Sequence, residues 1–279
     1  MIRRLHILII LSLIASVCAA ASPQKRRRTS TSGAITPRIE TTEVGKVKIY
    51  QKKRGKTSVD IRIPIAYPEF GILAEQYVGR DFELDDDGVP SIPQSIKMFL
   101  RNATEEGSGI SVSPFANSDQ YLQLRLSRFE NGGNSGHLEN EFKIIDRQTK
   151  KPLFIYDIIE SESDWHFKSE QLLDAINLVI KSLRNQYEGL ETLKDTDDFN
   201  YYSMNFWLDS DGICFWFGRC GIAPCAYGSL VIKVPYENLK SIIKPEVYKK
   251  LINQTNFKHL PLVKFAECWD DEVFTPLNQ

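Results

Sequence analysis

Cys214, Cys220, Cys225 and Cys268 fall within the last 66 residues of this 279-residue chain, close enough together to form disulfides or a metal site. A structural zinc site is built from close-set pairs such as C-x-x-C. Here the first three cysteines are six and five residues apart with no histidine beside them. Four cysteines allow three disulfide pairings. The preferred one joins Cys220 to Cys225, closing a short loop, and Cys214 to Cys268, tying down the tail. The histidines offer little else: His6 lies in the apolar N-terminus, and His137, His166 and His259 are scattered without ligand spacing, so no metal is expected. Gly133-Asn134-Ser135-Gly136-His137 resembles a nucleophile elbow only superficially, because the G-x-S-x-G order is missing. Glu83, Asp85, Asp87 and Gly88 match the opening of a calcium loop, yet Gln94 stands where the bidentate glutamate belongs, which leaves an acidic solvated loop. No phosphate loop or dinucleotide fingerprint occurs, so no cofactor is expected. With 36 Asp and Glu residues a carboxylate pair for glycoside hydrolysis is conceivable, but spacing singles none out, and no catalytic residue is assigned.

Hairpins must position these residues. Asn205 to Asp209 and Ile213 to Phe217 read as two strands about the Asp211-Gly212 turn, and they concentrate aromatic side chains. Alternation sends one set into a core and leaves Trp207 and Trp216 either beneath a helix or on an exposed platform. Val59, Ile61, Ile63 and Ile65 alternate with polar residues or proline, and Val47 and Ile49, across the Arg54-Gly55 turn, make the partner strand. Tyr121 to Phe129 alternates again, and Gly132 to Gly136 is a turn. Phe142 to Ile145 and Leu153 to Tyr156 bracket a second turn. Ser95 to Asn102 reads as a short helix. Leu172, Ile176, Val179, Ile180 and Leu183 form an amphipathic stripe that Ser169 could cap. Leu230 to Val234 is a strand, and Pro235 starts a helix through Ile243. Hairpins with helices between them predict an α+β fold, an antiparallel sheet with helices packed on one face.

The N-terminus points to export. Arg3 and Arg4, an apolar run from Ile7 to Val17 and the small residues at 18 to 21 have the three-part layout of a secretory signal over residues 1–21. The run is short of the roughly 20 residues a membrane span needs, although Lys25 to Arg28 keeps an uncleaved anchor in consideration. Acylation at Cys18 fits poorly, since Ala15 and Val17 precede it. Membrane contact is expected only through an uncleaved signal. Residues 22–45, basic and then rich in Ser, Thr and Pro, read as a disordered leader. Without residues 1–21 the chain holds 33 basic residues against 36 acidic ones, and the basic tract precedes the fold, so nucleic acid is not an expected partner.

The segment NFWLDSDGICFWFGRCGIAPCAYGSLVIKVPYENLK, Asn205 to Lys240, resembles domain-of-unknown-function family 3298, found in the ectodomain of a lysozyme-sensing anti-sigma-V factor. The matching pieces are an N-F-x-L strand, a D-G turn, an aromatic strand, an I-A-P-x-A-x-G loop and a strand ending P-Y-x-x-L. YLQLRLSRFENGGNSGHLENEFKIIDRQTKKPLFIYDII is similar to its companion segment, and PIAYPEFGI is similar to the start of the 4163 domain that precedes it. The resemblance spans about 180 residues, Asp60 to Lys240. It divides the chain into a 4163-like region at 46–160, a 3298-like region at 161–250 and a tail at 251–279 held by Cys268. Cys225 replaces the loop tyrosine of the family pattern, and Asn134-Ser135-Gly136 replaces the usual A-H.

The resemblance implies a non-catalytic binding or sensing module, periplasmic or secreted, whose partner is a lysozyme-like protein or peptidoglycan. It makes the Phe217 to Gly228 loop the expected recognition surface, with Phe217, Arg219 and Tyr227 as contacts, and a stapled loop of purely structural role is the alternative. A polysaccharide hydrolase is the alternative. The 39 residues after Lys240 are too few for the deacetylase domain attached in some relatives, and the six residues before the apolar run are too few for a sigma-binding domain.

Overall fold

The computed structural model describes residues 34–79, 90–102, 107–132, 135–163, 166–167, 169–194, 205–260 and 277. The expected signal, most of the leader, the acidic loop at 83–88 and Cys268 lie outside the described residues.

Alternating apolar residues build a large sheet. β1 (Arg38–Thr42), β2 (Gly45–Arg54) and β3 (Thr57–Pro64) form a meander, and Gly55 takes the positive φ of 59° that its tight turn requires. β4 (Ser108–Asn117), β5 (Tyr121–Gly132), β6 (Ser135–Asp146) and the short β7 (Pro152–Leu153) continue it, in the order β1-β2-β3-β4-β5-β6-β7. All neighbours are antiparallel except β3 and β4. That pair is parallel because the chain crosses over between them through α1 (Pro68–Gly79) and α2 (Ile92–Asn102).

The crossover helices cover one face of this sheet. Phe70, Ala74 and Val78 of α1 and Ile96, Phe99 and Leu100 of α2 pack with Val59, Ile61, Ile110, Val112, Leu122, Leu124 and Leu126. Period-2 strand residues and period-3.6 helix residues thus meet in one core.

After α3 (Ile155–Ile158), the two-stranded ribbon β8 (Ser161–Ser163) and β9 (His166–Phe167), and α4 (Ser169–Leu183), the chain makes a second sheet. It contains β10 (Phe206–Leu208), β11 (Gly212–Phe217) and β12 (Leu230–Pro235), all antiparallel. Gly212 is obligatory at the turn, since a Cβ there would sit 2.6 Å from the Val234 carbonyl oxygen. One face of this small sheet, with Phe206, Leu208, Ile213, Phe215, Phe217, Ile232 and Val234, packs with Leu172, Ile176, Val179 and Ile180 of α4. The opposite face, with Trp207, Cys214, Trp216 and Val231, packs with Phe115, Ala116 and Phe142 of the large sheet. α5 (Tyr236–Leu239) and α6 (Pro245–Ile252) follow, and β13 (Lys258–His259) returns to pair with Ala116 and Asn117 of β4.

The fold class is α+β, as the hairpin pattern predicts. Three local expectations differ. The strand expected to run to Tyr156 ends at Leu153, because α3 begins at Ile155 with the Asp157 carboxylate accepting from the Phe154 N–H at 2.8 Å. The helix after Pro235 stops at Leu239, with Pro235 as its N-cap. Residues 38–42, expected to lie in a disordered leader, form β1 against β2.

Candidate functional site

β11 ends at Phe217 and β12 begins at Leu230, and the loop between them projects beyond the small sheet. Its base is fixed. Ile222 is 2% exposed within the core beneath α4, and its carbonyl accepts the Glu191 N–H at 2.8 Å. Pro224 leans on Gly189, where a Cβ would come within 2.9 Å of the proline ring. The crown is stapled by a Cys220–Cys225 disulfide, as the preferred pairing has it. Cys220 adopts a positive φ of 67°, and a 3₁₀ turn at Cys225–Tyr227 ends in Gly228 at φ 73°. Across the staple, the Arg219 Nε donates to the Cys225 carbonyl at 3.1 Å. Arg219 and Tyr227 both face solvent, the latter 43% exposed. Phe217, expected as a third contact, is fully buried; it falls on the α4 side of β11 with Phe215, where no ligand reaches it without opening the core.

A second cluster gathers where the D-S-D-G turn, β12 and β13 meet. The Asp209 carboxylate lies 3.6 Å from His259 Nε2 and 3.8 Å from Lys233 Nζ, and it accepts from the Cys214 thiol at 3.9 Å. Its backbone carbonyl accepts from Tyr236 Oη and Gln254 Nε2, each at 2.8 Å. Burial disfavours the charged carboxylate, but the nearby His259 imidazole, the Ser210 N–H and the charge of Lys233 outweigh it and hold Asp209 below the usual carboxylate range. Burial, reinforced by the adjacent Asp209, pushes the Cys214 thiol up.

Cysteine, histidine and aspartate together suggest nucleophilic catalysis, but the geometry is wrong for it. The Asp209 carboxylate contacts the thiol through one oxygen and the imidazole through the other, and among the described residues no hydrogen bond joins the imidazole to the sulfur. A buried thiol with a raised pKa holds its proton. The cluster ties the small sheet, through Asp209, to the large sheet, through His259 on β13. Cys214, whose expected partner Cys268 lies outside the described residues, carries a free thiol buried in the seam between the sheets.

Strand alternation allows Trp207 and Trp216 either a helix cover or an exposed platform. Both are buried, at 1% and 5%, and what covers them is the large sheet. Trp207 meets Phe115 edge-on at 5.4 Å and Phe142 at 4.6 Å between ring centroids. Beside them the Gln123 amide pairs both ways with the backbone of Leu208, each hydrogen bond 2.8 Å long. Among the described residues the exposed aromatics are instead Tyr227 and a stacked pair, Phe154 and Tyr156, with centroids 5.1 Å apart. His137 and His166 lie on β6 and β9. No helix of the described residues is long and apolar enough to cross a membrane, and no three His, Cys, Asp or Glu side chains among them gather as metal ligands.

No family model matches the sequence, and no curated protein matches it. Solved structures do. The chain is similar to a DUF3298 family protein from Pseudomonas aeruginosa PAO1 with a TM-score of 0.54 and 19% identity, over 77% of this chain and 98% of that one. It is also similar to a DUF3298 family member from Bacteroides fragilis, with a TM-score of 0.47 and 16% identity over 77% and 94% of the two chains. The first likeness shows a shared fold.

Proposed function

We propose that this protein is an exported, non-catalytic binding or sensing module of the cell envelope, and that the loop from Gly218 to Gly228 is its recognition surface. The observation that carries this reading is the construction of the loop. It is pinned at Ile222 and Pro224, stapled by Cys220 and Cys225, and it turns Arg219 and Tyr227 outward. A surface that is ordered before contact loses less entropy on binding, and Arg and Tyr are the residue types over-represented at binding hot spots. The disulfide supports an oxidising compartment, periplasmic or secreted. The resemblance of Asn205 to Lys240 to the anti-sigma-V ectodomain supports a lysozyme-like protein or peptidoglycan as partner, with the 4163-like segment as part of the same ectodomain.

The test is capture of lysozyme and of peptidoglycan by the purified chain, beside a muropeptide-release assay. Capture that is lost in an Arg219→Ala, Tyr227→Ala double variant, with no release, is the expected result. Release of muropeptides by the wild-type chain would make the protein a hydrolase.

A further inference from the structure

The large sheet holds a cavity that shares no residue with the stapled loop. It measures about 240 Å³, and its floor is apolar, made by Val44, Val47, Pro114 and Leu260. Two polar side chains enter it from neighbouring strands. Arg62 on β3 and Ser113 on β4 alternate with Ile61 and Val112, which face the helices, so both project from the opposite face of the sheet.

These groups are set in place but not fully used. Arg62 donates from Nε at 2.9 Å and from Nη2 at 3.0 Å to the two oxygens of Asp60, which Gln51 also holds. That fork fixes the guanidinium plane and leaves Nη1 as a further donor. Ser113 is 3% exposed as a residue and lines the cavity, so its hydroxyl is a donor that a ligand can reach. A ligand acceptor in the cavity would take a hydrogen bond from it. At the rim, Glu43 is in an ion pair with Lys258.

The charges select the ligand class. Arg62 is balanced by Asp60, and Glu43 by Lys258, so the cavity offers donors and an apolar floor without net charge. An anion gains little there, whereas a neutral carbonyl with a small apolar substituent matches each part. At about 240 Å³ the space is below the roughly 300–1,000 Å³ of drug-sized sites. It suits one sugar-sized unit.

We propose that this cavity binds a neutral N-acyl group of the kind carried by N-acetylated amino sugars. The methyl lies against Val47 and Pro114, the carbonyl oxygen accepts from Arg62 Nη1 and the Ser113 hydroxyl, and sugar hydroxyls reach Glu43. The site is independent of the loop reading.

The experiment titrates the full chain with N-acetylglucosamine, glucosamine, glucose and acetate, read by ligand-observed NMR and calorimetry. Saturable binding of N-acetylglucosamine alone is expected. Ser113→Ala should weaken it by about 3- to 10-fold, the loss of one neutral hydrogen bond. Val47→Phe, which fills the floor, should abolish it, with circular dichroism reporting retained fold. The Arg219→Ala, Tyr227→Ala double variant should bind the sugar unchanged, so failure here and failure of the loop reading are distinguishable. Equal binding of glucose, tighter binding of acetate, no binding of any of the four, or unaltered affinity in Ser113→Ala would overturn the proposal.

Discussion

Phe217 and Arg219 are two residues apart, yet they belong to regions governed by different physics. The strands β10 and β11 have both faces occupied, one by α4 and one by the large sheet, so every side chain from Phe206 to Leu208 and from Gly212 to Phe217 is buried. The loop that follows is held by Ile222 and Pro224, by its own covalent staple and by the Arg219 hydrogen bond across it. Side chains in the seam set stability and have no access to a partner. Side chains on the crown have access and contribute little to stability. Substitutions in the two regions should therefore separate folding from binding, and the predictions run from the seam outward.

The largest effect is expected at Trp207. Its ring is 1% exposed against Phe115 and Phe142, and replacing such a residue by alanine removes transfer free energy and leaves a cavity. Trp207→Ala should cost about 3–5 kcal/mol in urea unfolding. A cost below about 1 kcal/mol would mean the two sheets do not depend on this contact. Gln123 comes next, because it joins the sheets by two hydrogen bonds to the Leu208 backbone. Gln123→Met keeps much of the volume and leaves a buried N–H and C=O unpaired, an expected loss of about 2–3 kcal/mol. Recovery of wild-type stability would show that water replaces the amide.

The staple should matter less. Its cysteines are five apart in sequence, and a loop this short restricts the unfolded chain by about 2 kcal/mol in the entropic model. The Cys220→Ser, Cys225→Ser pair should lower the unfolding midpoint accordingly and should loosen the presentation of Arg219, seen as raised amide hydrogen exchange from 218 to 228. If exchange there stays slow, Ile222 and Pro224 alone order the loop.

Acid should act on the seam and spare the crown. Asp209 has a lowered pKa in the fold, so its stabilisation is complete above the ordinary carboxylate value of about 4 and is lost as pH falls through the lowered folded value. Asp146 has a lowered pKa too: burial opposes its charge, while the Thr149 N–H and Lys250 more than offset it. Asp209→Asn should flatten the fall of stability between pH 4 and lower pH in parallel denaturant titrations. Unchanged pH dependence would move the acid sensitivity to other carboxylates.

The sequence carried much of this contrast through alternation. The hairpin about Asp211-Gly212, the strand at 230–234 and the helix at 169–183 follow from local pattern, because burying one face of a strand or helix dictates its period. Alternation tells which residues share a face and is silent about what covers that face. For this reason the seam, formed with Phe115 and Phe142 about 65 or more residues upstream of Trp207, was not legible. The same silence hid Phe217: its place in the loop motif suggested contact, and only the register of β11 with β12 sends it inward. α1 is not legible in the sequence because its stripe is blurred, with Ile72 57% exposed among buried Phe70, Ala74 and Val78. The cavity at Arg62 and Ser113 depends on the parallel pairing of β3 and β4, which no local spacing encodes.

The smallest effect on stability should come from the residues expected to matter most for binding. Arg219 makes one hydrogen bond, to a carbonyl on its own loop, and Tyr227 stands 43% exposed, so replacing either by alanine removes little buried area. Each substitution should shift stability by no more than about 0.5 kcal/mol. At a binding surface the same truncations are costly, because an exposed arginine and tyrosine that become desolvated against a partner are lost together with the partner groups they satisfied. A tenfold or greater fall in capture, with an unfolding curve that overlays the wild type, would place recognition on the crown. Capture that survives both substitutions, and falls only with the seam variants in proportion to unfolding, would remove the loop from the binding surface and leave its staple a structural device.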